Sequence, residues 1–270
     1  MSVVIVSLNR ITSVRKSLEA LGDAHQIALV DNGSTDGGAG LGREFPQLRF
    51  HRLPRNFGLT KALNIGIRAC DGEYILLLHD DVLIAADAVT RLADYLAAHP
   101  EVGAVCPMLT DESGNPVKQI RALPTSAAPD PPFQHAPGKG DRSAGDTTAE
   151  CVSGAAIMMR SFFLRALGSI DERYGTYGSD IELCAQVRRA AKKIVVLGDV
   201  TAVHQWAVSP VSKSALEGDR VHGTAAFLGK HYGMMTGLTT RLGSGLGALA
   251  SMHLHKLGGA LGAQKIDGSS

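Results

Sequence analysis

Aromatic side chains are scarce, 5 % of the 270 residues, which argues against the stacking platforms that hold single-stranded nucleic acid. Net charge is nearly absent as well. With 27 basic and 26 acidic residues the formal balance is +1, so the chain is neither a polybasic nucleic-acid coat nor an acidic solvating segment. Only four cysteines occur (Cys70, Cys106, Cys151 and Cys184), and they form no C-x-x-C pair. A redox or metal centre built on them is not expected; they read as buried thiols of a reducing cytoplasm. No apolar run reaches about 18 residues, so no spanning helix is expected. Met1-Ser2 leads straight into Val3-Val4-Ile5-Val6, without the basic stretch and long apolar core of a secretory signal. A cytoplasmic protein is the expectation.

What is present is apolar bulk and glycine. Hydrophobic residues make up 44 % of the chain, enough for a sizeable core in one large domain, or in one domain with an appendage. Charge is unevenly spread. Residues 213–270 hold six basic and three acidic side chains together with His222, His231, His253 and His255. A mildly acidic body is thus followed by a mildly basic, glycine-rich tail.

Periodicity divides the first 109 residues into alternating elements. Strands are predicted at Val3–Ser7, Ile27–Val30, Gln47–Leu53, Tyr74–Leu78 and Val102–Pro107, with helices at Thr12–Leu21, Leu59–Cys70 and Asp87–His99. Such alternation predicts an α/β fold, a mostly parallel sheet with helices on both faces. Residues 123–148, rich in proline, read as a long irregular loop. Beyond it come a strand at Ala155–Met159, helices at Ser161–Leu167 and Asp180–Ala191, short strands at Ile194–Leu197 and Val200–His204, and after 213 weaker helical segments interrupted by glycine.

Ligands of parallel sheets sit at the carboxyl ends of strands. After the second strand comes Asp31-Asn32-Gly33-Ser34-Thr35-Asp36-Gly37. It reads as a turn with a helix cap, or as a carboxylate placed to accept hydrogen bonds from a base or ribose. After the fourth strand comes His79-Asp80-Asp81. This is either a solvated turn or a site where carboxylate and phosphate oxygens share a hard divalent cation. Ser179-Asp180-Ile181-Glu182 matches a capping box, which accounts for Glu182; Asp180 is left as a candidate general base. His204 ends a strand and is either structural or a nitrogen ligand near Asp81.

These motifs, with Val3–Arg10, Asn56-Phe57-Gly58, Ala62–Gly66, Gly72–Asp81, Ile170–Tyr174 and Val203-His204, resemble family 2 glycosyltransferases, most of all the bacterial rhamnosyltransferase and galactofuranosyltransferase branch. The resemblance covers residues 2–235. It implies a GT-A fold, with a nucleotide-sugar-binding half over 1–109, an acceptor-binding and catalytic half over 110–212, and a helical appendage over 213–270. It further implies an inverting transfer from a UDP- or dTDP-sugar to a glycan or lipid-linked hydroxyl, in cell-envelope polysaccharide synthesis. Asp31 takes the place of the nucleoside-binding aspartate, with Ser7 and Asn9 around it. Asn56, Lys61 and Asn64 fall in the segment that approaches the sugar-diphosphate. Asp80 takes the middle place and Asp81 the last place of the D-x-D-type metal motif. His204 matches the late metal ligand, and Asp180 matches the base. His79 departs from the family's Asp or Asn; imidazole binds Mn2+ but does not supply the missing negative charge.

The cofactor implied is therefore Mn2+ or Mg2+, and the partners are a nucleotide-sugar and an acceptor, with no nucleic acid. The stretch Leu238–Leu261 reads as an amphipathic membrane contact, as a packing appendage, or as the contact of a homodimer. Two other classes remain open beside the transferase. A sugar-1-phosphate nucleotidyltransferase would carry glycines where this chain has Ser7-Leu8-Asn9-Arg10. A degenerate module that binds nucleotide or glycan without turnover is kept in view by His79.

Overall fold

The computed structural model describes residues 1–136, 145–207, 210–250 and 264–266. In chain order it runs β1 (Ser2–Ser7), α1 (Ile11–Leu21), β2 (Gln26–Asp31), α2 (Leu41–Glu44), β3 (Arg49–Arg52), α3 (Leu59–Arg68), β4 (Tyr74–His79), β5 (Val82–Leu83), α4 (Ala86–Ala98) and β6 (Val102–Thr110). It continues with β7 (Lys118–Arg121), β8 (Gln134–His135), β9 (Thr147–Ala149), β10 (Cys151–Val152), β11 (Ala156–Arg160), α5 (Ser161–Ala166), α6 (Ser179–Arg189), β12 (Lys193–His204), α7 (Lys213–Tyr232) and α8 (Met234–Ala250).

The main sheet has the order β3-β2-β1-β4-β11-β6-β12-β5, with β9 also paired to β12. Its β3-β2-β1-β4 portion is parallel, as the alternation predicts. The sheet is mixed beyond that, because β11 enters antiparallel between β4 and β6. The pleat divides the strands between two cores. Val3, Ile5 and Leu76 face Leu18 of α1 and Leu92 of α4; Val4, Ala28 and Leu77 face Ile67 of α3 and Ile181 of α6. Each of these side chains larger than alanine contributes about 1.5–3 kcal/mol on burial. With helices on both faces, the open ground is the rim where the strands end.

Four local expectations are corrected. The strands expected at Ile194–Leu197 and Val200–His204 are one strand, with an irregularity in its pairing to β6 between Leu197 and Thr201. The loop 123–148 contains β8 and β9, and β8 joins a second sheet of order β10-β7-β8; residues 137–144 lie outside the described residues. Past 213 the helix is continuous for 20 residues, not a series of weak segments. Its Gly223 serves close packing, which overrides propensity: a Cβ there would lie 2.6 Å from the Tyr177 carbonyl oxygen. The portion of the tail from 251 to 263, with His253 and His255, is outside the described residues.

The capping box at Ser179 is absent, because Gly178 precedes the first turn and no side chain caps it. Glu182, 1 % exposed, turns inward instead. It accepts hydrogen bonds from Tyr174 Oη (3.1 Å), Lys230 Nζ (2.6 Å) and His231 Nε2 (2.8 Å), which ties α6 to α7. Burial alone would raise its pKa, but His231 and Lys230 hold it below the ordinary 4.5. Its stabilising contribution is therefore complete above that value and is lost as the pH falls through the lowered one. Glu182→Ala strands its partners and is expected to cost about 3 kcal/mol in urea unfolding at neutral pH, with the difference from wild type shrinking in acid.

Candidate active site at the strand ends

The turn after β2 is built by side-chain bonds to backbone. Asp31 Oδ1 accepts from Ser34 N–H at 2.8 Å. Asn9, itself at φ 53, accepts from Thr35 N–H at 2.7 Å. Asn32 donates to Asn56 Oδ1 at 2.9 Å and accepts from Phe57 N–H at 2.9 Å. Gly33 has φ +87, and a Cβ there would lie 2.5 Å from the Arg55 carbonyl carbon, so a side chain is excluded. Asp31 is 3 % exposed, and its Oδ2 is buried without a hydrogen-bond partner. The Arg52 Nε lies 3.7 Å from that oxygen as an ion pair, and a buried carboxylate oxygen without a hydrogen bond is costly unless a donor reaches it.

The second group follows β4. Asp80 and Asp81 are both buried, and the charge that makes this tolerable is the Arg10 guanidinium. Its Nη1 lies 2.9 Å from Asp80 Oδ1 and 3.4 Å from Asp81 Oδ2, while Nη2 donates to the Ala207 carbonyl at 2.9 Å. Burial still pushes the Asp80 carboxyl up to about 6 against the pull of Arg10. Burial would also raise Asp81, but the His204 and His79 imidazoles and Arg10 hold it below its ordinary value. Desolvation brings His79 down to about 4, so its imidazole is neutral and able to ligate at neutral pH.

His79, Asp81 and His204 each present one ligand atom within 4.8 Å of the others. Asp81 Oδ1 and His204 Nδ1 are both buried without a hydrogen-bond partner, and His204 Nε2 lies 3.3 Å from that oxygen. Two imidazoles and one carboxylate with orphaned atoms fit a divalent cation. Arg10 bonds the opposite oxygen of Asp81 and leaves Oδ1 open.

Asp180 opens α6. It accepts from Ile181 N–H at 2.9 Å and from Gly154 N–H at 3.3 Å. Burial raises its pKa, and those two backbone bonds and the nearby Arg121 only partly offset the rise. Arg121 in turn donates to Tyr177 Oη at 3.0 Å and to Asp130 at 2.7 Å, and it lies over the Phe133 ring.

One cavity of about 420 Å³ is lined by Asp81 and Asp180 alike, and also by Arg10, Asn32, Asn56, His79, Asp80 and His204. Ser7, Asn9 and Asp31 do not line it; Asn9 and Asp31 build the turn beside it, and the Ser7 carbonyl at the end of β1 accepts from Asn32 N–H at 2.8 Å. Lys61 is exposed and lies 5.0 Å over the Phe57 ring, away from the wall. Asn64 is placed elsewhere altogether: its amide bonds Ile170 and Glu172 and leaves nothing for a sugar-diphosphate. Arg10, Arg121 and Trp206 are among the lining residues that have no role in the motif reading. A cation directly after a strand that ends beside two buried carboxylates was the available signal for Arg10.

The glycosyl transferase family 2 profile matches residues 2–167. An N-acetylglucosaminyl-diphospho-decaprenol L-rhamnosyltransferase of Mycobacterium tuberculosis is 23 % identical, with 68 % of this chain and 67 % of the relative covered. Among solved structures, GalNAc-T7 with UDP, GalNAc and Mn2+ aligns with TM-score 0.62 at 14 % identity, over 83 % of this chain and 46 % of that one. TarS of S. aureus with UDP-GlcNAc aligns with TM-score 0.57 at 17 % identity, over 84 % and 66 %. The chain spans less than half the length of the first of these structures. At such identities the likeness is one of fold, and it is the GT-A fold.

Arg10→Ala leaves two buried carboxylates without their counter-charge, which is expected to cost about 3 kcal/mol. Added Mn2+ is expected to raise the thermal midpoint of this variant more than that of the wild type. Equal shifts in the two proteins would show that the guanidinium and the cation do not share a field.

Proposed function

The chain belongs to glycosyl transferase family 2, and we propose on that premise that it is an inverting, metal-dependent glycosyltransferase of the hexosyltransferase type. The donor is a UDP- or dTDP-sugar, and the acceptor is a hydroxyl of a glycan or lipid-linked sugar used in cell-envelope polysaccharide. The observation that carries the reading is that Asp81 and Asp180 line one cavity. The acceptor class is supported by the diphospho-decaprenol named for the mycobacterial relative.

Residues 1–109 bind the donor. The Oδ2 of Asp31, which has no hydrogen bond within the protein, accepts from the nucleoside, and Ser7 and Asn9 hold the turn that carries it. Asn56 reaches the cavity beside it. His79, Asp81 and His204 hold the Mn2+ or Mg2+, which when bound supplies positive charge beside the leaving diphosphate. Arg10 keeps the Asp80–Asp81 pair from repelling the donor before that charge arrives. Residues 110–212 supply the acceptor side. Asp180 takes the proton from the attacking hydroxyl, whose oxygen bonds to the anomeric carbon as the bond to the diphosphate breaks on the opposite face. No covalent enzyme intermediate is required, so a single base suffices.

The appendage, 213–270, is the segment we assign to peripheral membrane contact. On α8, Met234, Leu238 and Leu242 are exposed at four-residue spacing, the pattern of an apolar helix face. Among the described residues no helix is long and apolar enough to cross a membrane. A homodimer would cover the same face.

Asp180→Asn is expected to lower kcat at least about 100-fold with little change in UDP affinity, as read by released UDP and by calorimetry. Full activity in the variant would remove Asp180 from the mechanism. In the wild type kcat/KM falls in acid as the base is protonated, with a midpoint above the ordinary 3.8 because the Asp180 pKa is raised. Chelation with EDTA abolishes transfer, and Mn2+ or Mg2+ restores it.

A further inference from the structure

The helices α7 and α8 meet closely near their connection: a Cβ on Gly237 would lie 2.6 Å from the Ala225 carbonyl oxygen. Beyond that contact a second cavity of about 400 Å³ lies between the two helices and the 126–130 loop. Its size falls among small-ligand clefts, roughly 300–1,000 Å³. It shares no lining residue with the cavity of Asp81 and Asp180.

Hydroxyl groups dominate its walls. On α8, Thr239 and Thr240 Oγ1 donate to the Thr236 carbonyl at 3.0 and 2.8 Å, and Ser244 Oγ donates to the Thr240 carbonyl at 3.0 Å. With their protons committed to the backbone, these three oxygens are left as acceptors. Thr224 supplies the wall from α7. It is 5 % exposed, and its Oγ1 is buried without a hydrogen-bond partner. A helical threonine can bond the carbonyl four residues back, yet this hydroxyl does not. Leaving both its proton and its lone pairs unused is unfavourable in a buried place unless something in the cavity meets them.

Charge narrows what that is. The charged lining residues are Arg220 and Asp130, and they pair with each other. Arg220 also pairs with Glu217 at 2.6 Å, and Asp130 with Arg121 at 2.7 Å, so two guanidinium groups are balanced by two carboxylates. A phosphate would be repelled by Asp130, and a metal cation by Arg220. A neutral ligand rich in hydroxyls meets neither penalty and can use donors and acceptors alike, which describes a sugar ring.

Asp130 also relates this cavity to the first. Its Oδ2 bonds Arg220, while its Oδ1 accepts from Arg121 at 2.7 Å and from Tyr177 Oη at 2.6 Å. Arg121 and Tyr177 line the first cavity with Asp180. One carboxylate therefore stands between the two cavities on the flank of the proposed base.

We propose that the cavity between α7 and α8 is a glycan subsite, which takes a neutral sugar ring of the acceptor beyond the one that carries the attacking hydroxyl. Its place in the acceptor rests on the reading of the first cavity as a glycosyl-transfer site; its affinity for a sugar does not.

The probes are methyl glycosides of glucose, N-acetylglucosamine, galactose and rhamnose, titrated by saturation-transfer NMR into the full chain with UDP and Mn2+ present. Saturable binding of at least one is expected. Thr224→Val keeps the shape of the side chain and removes the hydroxyl, and it is expected to weaken that binding about fivefold. Gly243 lines the cavity, and a Cβ there meets nothing within 4 Å. Gly243→Leu is thus accommodated, with better helix propensity, and is expected to abolish binding. Both variants keep the wild-type affinity for UDP. No binding of any glycoside, or binding unchanged in both variants, would overturn the proposal. In transfer assays Thr224→Val is expected to raise the KM of a disaccharide acceptor by the same factor and to leave that of a single-sugar acceptor unaltered; equal effects on both would refute the subsite. Failure of every donor to release UDP in the wild type would instead count against the transferase reading, and the binding arm would still be read independently.

Discussion

The Arg10 guanidinium between Asp80 and Asp81 is the interaction on which the rest of the site depends. Two adjacent buried carboxylates repel each other and resist desolvation, and a fixed positive charge makes their placement at the end of β4 tolerable. The same guanidinium binds the Ala207 carbonyl, and Asp81 binds the flanking backbone on its other side. One charged group thus joins the end of β1, the end of β4 and the segment after β12, which are distant in sequence. Buried polar networks of this kind rigidify a site when every member is satisfied. Here three atoms make no hydrogen bond, Arg10 Nε, Asp81 Oδ1 and His204 Nδ1, and the last two belong to the group able to take a cation.

A second balance of charge surrounds Asp180, the proposed base. Asp180 stands at the first turn of α6, where backbone N–H groups favour an anion, yet burial pushes its pKa up. The result is a carboxylate more basic than one in water, as the proposed proton transfer from a hydroxyl requires. Arg121 keeps this region in order by holding Tyr177, Asp130 and Phe133 around itself. Glu182, two residues along, faces the other way and fastens the appendage to the body. Adjacent carboxylates on one helix turn therefore do separate work, one in the cavity and one in the packing.

Local chemistry explains which parts were legible in advance. Alternating apolar runs report burial on a sheet covered on both faces, so β1 to β4, β6, α1, α3 and α4 follow from spacing, whereas the short β5 and α2 do not. Asp31, Asp80, Asp81 and His204 stand directly after apolar strands, where a charged residue has few other reasons to be. The glycines of α7 misled because helix propensity is a local quantity, whereas the contact of Gly223 with Tyr177 is not. Asn64 misled for a related reason: its place in a motif says nothing about Ile170 and Glu172, more than a hundred residues on, which take up its amide.

Sequence alone determined the α/β class and the order in which acidic residues meet strand ends, because both are written in periodicity and neighbouring residue types; the family was legible only as a resemblance of motifs. Tertiary structure decided which of those residues share a cavity, which cation neutralises them, and that the single tryptophan is held exposed beside His204. Those outcomes depend on chain segments brought together by strand pairing, and side-chain charge and burial take their values only after that pairing has formed.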